Sequence, residues 1–371
     1  MAENAKYDLL LVGAGLFNAI IAREATKRRK KCLVIEKRNH IGGNLYCENV
    51  EGINVHKYGA HIFHTSNEPV WKYMNELCRF NHYINSPLAR YKDKIYNLPF
   101  NMNTFYQLWG TITPEETLTK LNEQKLKISN PANFEEQALS LVGADLYERL
   151  IKGYTEKQWG QEATQLPAFI INRVPVRFTY NNNYFNDVYQ GIPIGGYNSI
   201  FEECFKNCDV ILNEDFFNNQ QLANKADVVV FSGMIDQYYN YRFGQLEYRS
   251  LRFESEVLDM ENYQGNAVVN YTEKEIPYTR IIEHKHFEFG EQAKTVITRE
   301  YPLQWRCGLE PYYPVNTEEN QKIIQQYKLL AQKETNVYFG GRLGLYQYMD
   351  MDQTVKEAVA LLEKLCCSAK F

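Results

Sequence analysis

An apolar run ending in Gly-x-Gly, then a second apolar run ending in an acid, leaves a chain few folds to adopt. Here Asp8-Leu-Leu-Leu-Val12 runs into Gly13-Ala-Gly15, and Cys32-Leu-Val-Ile-Glu36 follows. The pattern predicts a strand, a helix and a parallel second strand, the unit that holds a dinucleotide. Gly13 permits the tight turn. Gly15 lets the backbone approach a pyrophosphate at the positive end of the helix. Glu36 stands 21 residues after Gly15, where an acid can hold a ribose 2′-hydroxyl. Asn18 replaces the third glycine of the fingerprint. That predicts weaker helix–strand packing and an intact phosphate turn.

A second doublet, Gly42-Gly43, follows the acid in Lys37-Arg38-Asn39-His40-Ile41-Gly42-Gly43-Asn44. An ordinary turn would account for it. A doublet at this distance past the acid is nevertheless a habit of FAD proteins, and its N–H groups suit a diphosphate. FAD is the expected cofactor.

At 371 residues the chain has room for two or three domains. A net charge of −4 argues against a broad nucleic-acid footprint, so any anion site must rest on a few local cations. The start, Met-Ala-Glu-Asn-Ala-Lys, carries no signal-peptide pattern, and no apolar run reaches membrane-spanning length. A cytoplasmic protein is expected. The eight cysteines have no paired metal spacing and read as free thiols. Tyrosine is abundant, at 28 residues. Much of it suits sheet surface, and some suits sugar, base or phosphate contacts.

Along the chain, three histidines fall in Val55-His56-Lys-Tyr-Gly59-Ala-His61-Ile-Phe-His64-Thr65. Gly59 interrupts them and no acid or cysteine joins them, so a loop beside the cofactor is expected rather than a metal site. From about Asn101 the pattern turns helical. Thr113-Pro114-Glu115-Glu116 reads as a capping box, Asn133-Phe-Glu-Glu136 opens another helix, and Gly143 threatens to break it. Val176–Tyr180, Ser250–Phe253, Asn266–Tyr271 and Thr295–Thr298 read as strands of an antiparallel sheet. Asp209–Leu212, Asp227–Gly233 and Asn336–Phe339 read as returns to the parallel sheet. Asp352 is a candidate cap for a last helix. The expected α/β architecture is a Rossmann-like FAD-binding domain with an inserted helical domain and an antiparallel β-sheet domain. The expected limits are 1–85, 195–240 and 325–371 for the first, 86–165 for the second, and 166–194 with 241–324 for the third.

No serine-protease-like order, H-E-x-x-H or GK[ST] loop is present. Aromatic and arginine density stands out instead, in Lys152-Gly-Tyr154-Thr-Glu-Lys-Gln-Trp159-Gly160, Arg173, Pro277-Tyr-Thr-Arg280, Pro311-Tyr-Tyr313 and Tyr346-Gln-Tyr348-Met-Asp350. Arginine holds a diphosphate bidentately, and tyrosine hydroxyls can share the load. For any one of these residues taken alone, a structural role is the commoner explanation.

Together with Arg38–Asn44, His56–Thr65, Pro277–His286 and Gly340–Gly344, these segments resemble the UDP-galactopyranose mutase family, in the family's order and over essentially the whole chain. The resemblance implies FAD held by Gly13, Gly15, Glu36, Arg38, Gly43 and Asn44, with Arg342 and the Asp352 helix start near the flavin. It implies Tyr154 and Trp159 at the uridine, and Arg173 and Arg280 clamping the diphosphate with Tyr184, Tyr313 and Tyr348. Asn85, Asn270 and His64 would face the sugar or flavin, and Asp350 would orient its neighbours. The implied reaction is the reversible contraction of UDP-galactopyranose to UDP-galactofuranose. Reduced flavin N5 attacks the anomeric carbon, UDP leaves and returns, and no net oxidation occurs. An external reductant, a homodimer and no membrane insertion are also implied. A flavin amine oxidase or nicotinamide-linked dehydrogenase would share the N-terminal third but would oxidise its substrate. A nucleotide-sugar sensor would bind without turnover.

Overall fold

The computed structural model describes residues 6–171 and 175–367. β1 (Tyr7–Val12), α1 (Leu16–Lys27) and β2 (Cys32–Glu36) form the unit expected from the glycine pattern. β3 (Cys47–Val50) and β4 (Ile53–His56) make a hairpin, and β5 (Phe63–Thr65) precedes α2 (Glu68–Leu77). β6 (Leu88–Tyr91) and β7 (Lys94–Asn97) make a second hairpin. Then come α3 (Met102–Trp109), α4 (Pro114–Gln124), α5 (Phe134–Leu146) and α6 (Lys152–Trp159). The capping box at Thr113 and Glu116 forms, with Pro114 at the first helical position. Gly143 breaks the regularity of α5 at φ 75°, where a Cβ would lie 2.6 Å from that of Gln124.

β8 (Tyr189–Gly191) pairs with β5. The chain then returns through α7 (Asn198–Phe205), β9 (Asp209–Leu212), β10 (Ala226–Phe231) and α8 (Ile235–Tyr238). A run of strands follows: β11 (Tyr248–Leu258), β12 (Val268–Tyr271), β13 (Arg280–Glu283), β14 (Thr295–Gln304) and β15 (Tyr313–Pro314). α9 (Glu318–Ala331), β16 (Val337–Phe339), α10 (Gly341–Gly344) and α11 (Met351–Cys366) end the described chain.

Five parallel strands lie in the order β16-β10-β1-β2-β9. Both faces are covered, which is why β1, β2 and β10 are almost unbroken apolar runs. One face packs on α1, α7 and α11 through Ile20, Phe201 and Leu362, and the other on Phe216 and Leu222. The helical insertion has its own core around Phe105, Phe134, Leu146 and Tyr147. A second sheet runs β15-β11-β14-β13-β12-β6-β7.

Three local expectations change. Residues 88–97, placed with the helical insertion, are the edge hairpin of the second sheet, with Ala89 and Tyr96 turned inward and buried. That sheet is mixed, because β6 comes from outside the consecutive run and lies parallel to β12. Val176–Tyr180 is not a strand. It runs beside the start of α3, where Arg177 N–H reaches Phe100 C=O and Met102 N–H reaches Thr179 C=O, and a helix start offers no ladder to extend.

Candidate functional site

A cavity of about 510 Å³ opens where the C-terminal ends of β1, β2 and β10 meet the starts of α1, α10 and α11. Ligands bind parallel α/β sheets at such crevices. Gly13, Gly15, Glu36, Arg38, Gly43, Asn44 and Arg342 all line it. Gly13 sits at φ 97°, and a Cβ there would fall 2.5 Å from Ser232 Oγ. No atom of the described residues lies within 4 Å of where a Gly15 Cβ would stand, so this is the side left clear for a ligand. The Glu36 carboxylate accepts the N–H of Ala14 at 2.8 Å and of Arg38 at 3.0 Å. This pins it across the turn with lone pairs to spare for a hydroxyl.

The Arg38 guanidinium lies 4.3 Å over the Tyr58 ring and donates through Nη2 to Asn44 Oδ1 and Glu310 Oε2. Its Nη1 is buried without an acceptor among the described residues. A buried guanidinium nitrogen is costly until an anion meets it, and a dinucleotide phosphate has the matching charge and geometry. The residues present therefore fit a dinucleotide cofactor.

Asn18 does not loosen the fold at this point. Its carboxamide nitrogen donates to Val12 C=O at 2.9 Å, Gly13 C=O at 2.8 Å and Ser232 Oγ at 3.2 Å. The side chain fills the space a glycine would leave and ties the helix to the strand end. The last helix also starts slightly differently from expectation. Asp350 holds the cap position, and Gln353 reaches back to accept its N–H at 3.1 Å. The Asp352 carboxylate turns away to Thr65 Oγ1 and Lys356 Nζ, at 3.0 Å each. Met351 and Thr354 are the α11 residues on the cavity wall.

Cross-strand register builds the second half of the site. β12–β13 pairing sets Asn270 opposite Arg280, and β13–β14 pairing sets Arg280 opposite Glu300. Arg280 Nε and Nη2 both reach Glu300 Oε2, at 2.9 and 2.7 Å. Burial opposes the cation, but the adjacent carboxylate outweighs it and fixes the charge. Tyr154 and Tyr313 face the same guanidinium, and burial raises both phenols, so they are neutral donors at physiological pH. Tyr313 and Tyr348 rings lie 6.1 Å apart, with Arg342 4.9 Å over Tyr348. Tyr348 donates to Asp350 Oδ1 at 3.1 Å, and Arg342 Nε to Met349 C=O at 2.7 Å. Tyr184 N–H is bonded to Asn85 C=O, and the side-chain oxygens of Asn85 and Asn270 are buried without partners among the described residues. Trp159 ends α6 against the helical core, with its carbonyl accepting from Arg249. Arg173 lies outside the described residues.

The histidines divide in a way that the sequence reading missed. His64 is not on the cavity wall. Its Nδ1 lies 2.6 Å from Asp187 Oδ2 and its ring stacks on Phe185 at 3.7 Å. His61 is on the wall. Its Nδ1–H donates to Gly59 C=O at 2.7 Å. Burial, helped by His56, Arg342 and Arg280, pushes its pKa down to about 3, so it is neutral. His61 N–H donates to His56 Nδ1, His56 N–H donates to His284 Nδ1, and His284 Nε2 meets Thr298 Oγ1. The three rings of the histidine segment thus serve different partners. The signal that could have found His61 is Gly59. At φ 99°, with a Cβ position 3.4 Å from Glu300 Oε2, it presses this turn against the Arg280–Glu300 pair.

Comparison with known proteins adds the following. A profile of the UDP-galactopyranose mutase family matches residues 149–348, and one of the NAD(P)-binding Rossmann-like domain matches residues 11–77. A dTDP-fucopyranose mutase of Escherichia coli is 40% identical over 95% of this chain and 96% of its own length. A probable UDP-galactopyranose mutase of Klebsiella pneumoniae is 39% identical over 97% and 95%. Among solved structures, a reduced UDP-galactopyranose mutase superposes with a TM-score of 0.71 at 12% identity, covering 97% of this chain and 94% of the other. A putrescine oxidase superposes at 0.58 and 11% identity, covering 98% and 100%. These structural likenesses are of fold.

Proposed function

This chain belongs to the UDP-galactopyranose mutase family of isomerases, and from that premise we propose that it interconverts UDP-galactopyranose and UDP-galactofuranose with bound, reduced FAD. One observation carries the reading: the Arg280–Glu300 pair, flanked by Tyr154 and Tyr313, lies off the wall of a cavity fitted for a dinucleotide but next to His61 and Arg342, which do line it. A buried, charge-fixed arginine beside two neutral phenols suits a diphosphate that must leave, stay in place and return.

Reduced flavin supplies the nucleophile for the anomeric carbon. The protein residues hold and orient. Gly13, Gly15 and the start of α1 take the pyrophosphate, Glu36 the ribose, and Arg38 the remaining phosphate charge. Arg342 and the start of α11 favour negative charge on the reduced ring. Arg280 and Arg173 grip the substrate diphosphate, helped by Tyr184, Tyr313 and Tyr348. Tyr154 and Trp159 receive the uridine, and the free oxygens of Asn85 and Asn270 receive sugar hydroxyls. His61, held neutral, adds a polar edge without adding charge. An external reductant supplies the electrons once.

The 40% identity to a dTDP-fucopyranose mutase favours a second reading, a thymidine-linked 6-deoxy sugar on the same site. Anaerobic protein reduced with dithionite is offered UDP-galactopyranose, UDP-N-acetylgalactosamine and dTDP-fucopyranose, and the products are resolved chromatographically. Product from UDP-galactopyranose should exceed the reductant consumed many times over. One-to-one coupling, or full activity with oxidised flavin, overturns the isomerase reading. Turnover of dTDP-fucopyranose alone replaces the substrate and keeps the chemistry.

A further inference from the structure

Of the eight cysteines only Cys307 lies on the cavity wall, and two of the others meet at the open edge of the parallel sheet. β2 and β9 pair with Leu33 opposite Asp209. Cys32 and Cys208 are the residues just before these, so continuing the register by one sets them opposite each other. Their burial agrees. Cys32 and Val34 lie in the core cluster on the α1 face, and Cys208 and Val210 pack against that same cluster. Leu33 and Ile211 lie in the cluster on the other face. Both thiols therefore point the same way.

Neighbouring strands stand about 4.8 Å apart. That is inside the Cα–Cα range a disulfide spans without moving the backbone. The two cysteines also differ in access. Cys32 is buried, whereas Cys208 is partly open at the rim, because β9 is the last strand of its sheet.

We propose that Cys208 and Cys32 are a peroxide-responsive pair, Cys208 reacting first and Cys32 closing a reversible disulfide between β9 and β2. The Cys208 sulfur attacks hydrogen peroxide, the O–O bond breaks, and one water leaves with a sulfenic acid behind. The Cys32 sulfur then attacks that sulfur, the S–O bond breaks, and a second water leaves. Two thiols and one peroxide thus give one disulfide and two waters. The electrostatics fall in the same order. The hydrogen bond from Cys32 lowers Cys208 toward thiolate, and the same contact with burial raises Cys32. A low, accessible thiol beside a buried partner is the arrangement that oxidises selectively.

The pair also lies on a strand that matters. β2 ends at Glu36, so the link would fasten the edge strand to the strand that carries the ribose-binding acid. The proposal does not depend on the sugar chemistry above. Its test needs no turnover.

Full-length protein is reduced, freed of reductant, treated with hydrogen peroxide, blocked with iodoacetamide under denaturing conditions and mapped by mass spectrometry. A linked peptide pair containing Cys32 and Cys208, two hydrogens lighter than the separate peptides, is expected, and dithiothreitol should reverse it. In Cys32→Ala the Cys208 sulfenic acid should persist and take up dimedone. In Cys208→Ala neither the link nor a dimedone adduct at Cys32 should form, while Cys204→Ala should leave the link intact. Circular dichroism of each variant confirms that the comparison is made on folded protein. Full alkylation of both Cys32 and Cys208 after peroxide overturns the proposal. So does a Cys204–Cys208 link in the parent, or a first adduct on Cys32.

Discussion

The cavity that fits a dinucleotide, the cradle, is made mostly of backbone and glycine, whereas the proposed substrate side is made of long side chains fixed by strand register. In the cradle, Gly13, Gly15 and Gly43 matter for what they lack. Their chemistry is that of N–H groups and a helix start, all written within a few dozen consecutive residues. On the substrate side, Asn270, Arg280 and Glu300 come from three strands and line up only once those strands pair. A cradle of the first kind fails when something is added to it. A cluster of the second kind fails when something is taken away.

The largest expected effect tests the second kind. Arg280→Ala strips the partner from the buried Glu300 carboxylate and, in the proposed clamp, the cation from the diphosphate. It should cost about 2–5 kcal/mol in transition-state binding, or roughly thirtyfold to several thousandfold in rate. Bound FAD, read from the visible spectrum, should stay at parental levels. Arg280→Lys should recover little, because the fork is lost. Parental turnover in Arg280→Ala breaks the clamp model.

The seam between the two regions carries a pH signature. His56 and His61 are held neutral with pKa values of about 3, mainly by burial, and His284 is depressed as well. Folded values below the unfolded value of about 6.5 mean that the unfolded chain binds more protons as pH falls. Stability is then full above pH 6.5 and is lost on the way down. Each of the first two imidazoles should cost about 2 kcal/mol by pH 5. Thermal denaturation between pH 5 and 7.5 measures it. A Tm flat over that interval contradicts the buried neutral seam.

Gly13→Ala tests the cradle by addition. The positive φ and the contact with Ser232 Oγ should strain the turn by about 1–3 kcal/mol. The loss should appear as weaker FAD retention in dialysis, while any fraction that keeps cofactor turns over as the parent does. A fall in the turnover of loaded enzyme with unchanged retention would blur the distinction between the two regions.

Asn18→Ala should have the smallest effect, about 1 kcal/mol in chemical denaturation for the lost bonds to Val12 and Gly13. A stabilised variant would mean that the carboxamide is merely tolerated.

The same contrast explains how far the sequence could be read. The cradle was legible because its signals are local: Gly13-x-Gly15, Glu36 and the Gly42-Gly43 doublet each imply their own geometry. Asn18 was misjudged because its three partners are backbone and Ser232, which no spacing rule reaches. On the substrate side, Arg280 and the tyrosines stood out by type and family resemblance. Glu300 did not, because an acid in a strand signals nothing until β14 is paired with β13. His64 was preferred to His61 from the same motif. What separates them is the Gly59 turn, after which His61 enters the wall, while β5 commits His64 to Asp187. Val176–Tyr180 had the alternation of a strand and no neighbour with which to form one.

The order of the parallel sheet has a consequence for how the protein is made. β1 sits between β2 and β10, and β10 sits beside β16. Tyr7 pairs with Ala226, and Val229 with Val337. The cradle that is easiest to recognise is thus the last to close. One flank of β1 stays unpaired until β10, far along the chain, has been made, and contacts this distant form slowly. A nascent chain stopped before residue 226 lacks the strand that carries Ser232 to the glycine turn. Closing the crevice around Gly13 therefore waits for β10 and β16 and is not complete with β1, α1 and β2 alone.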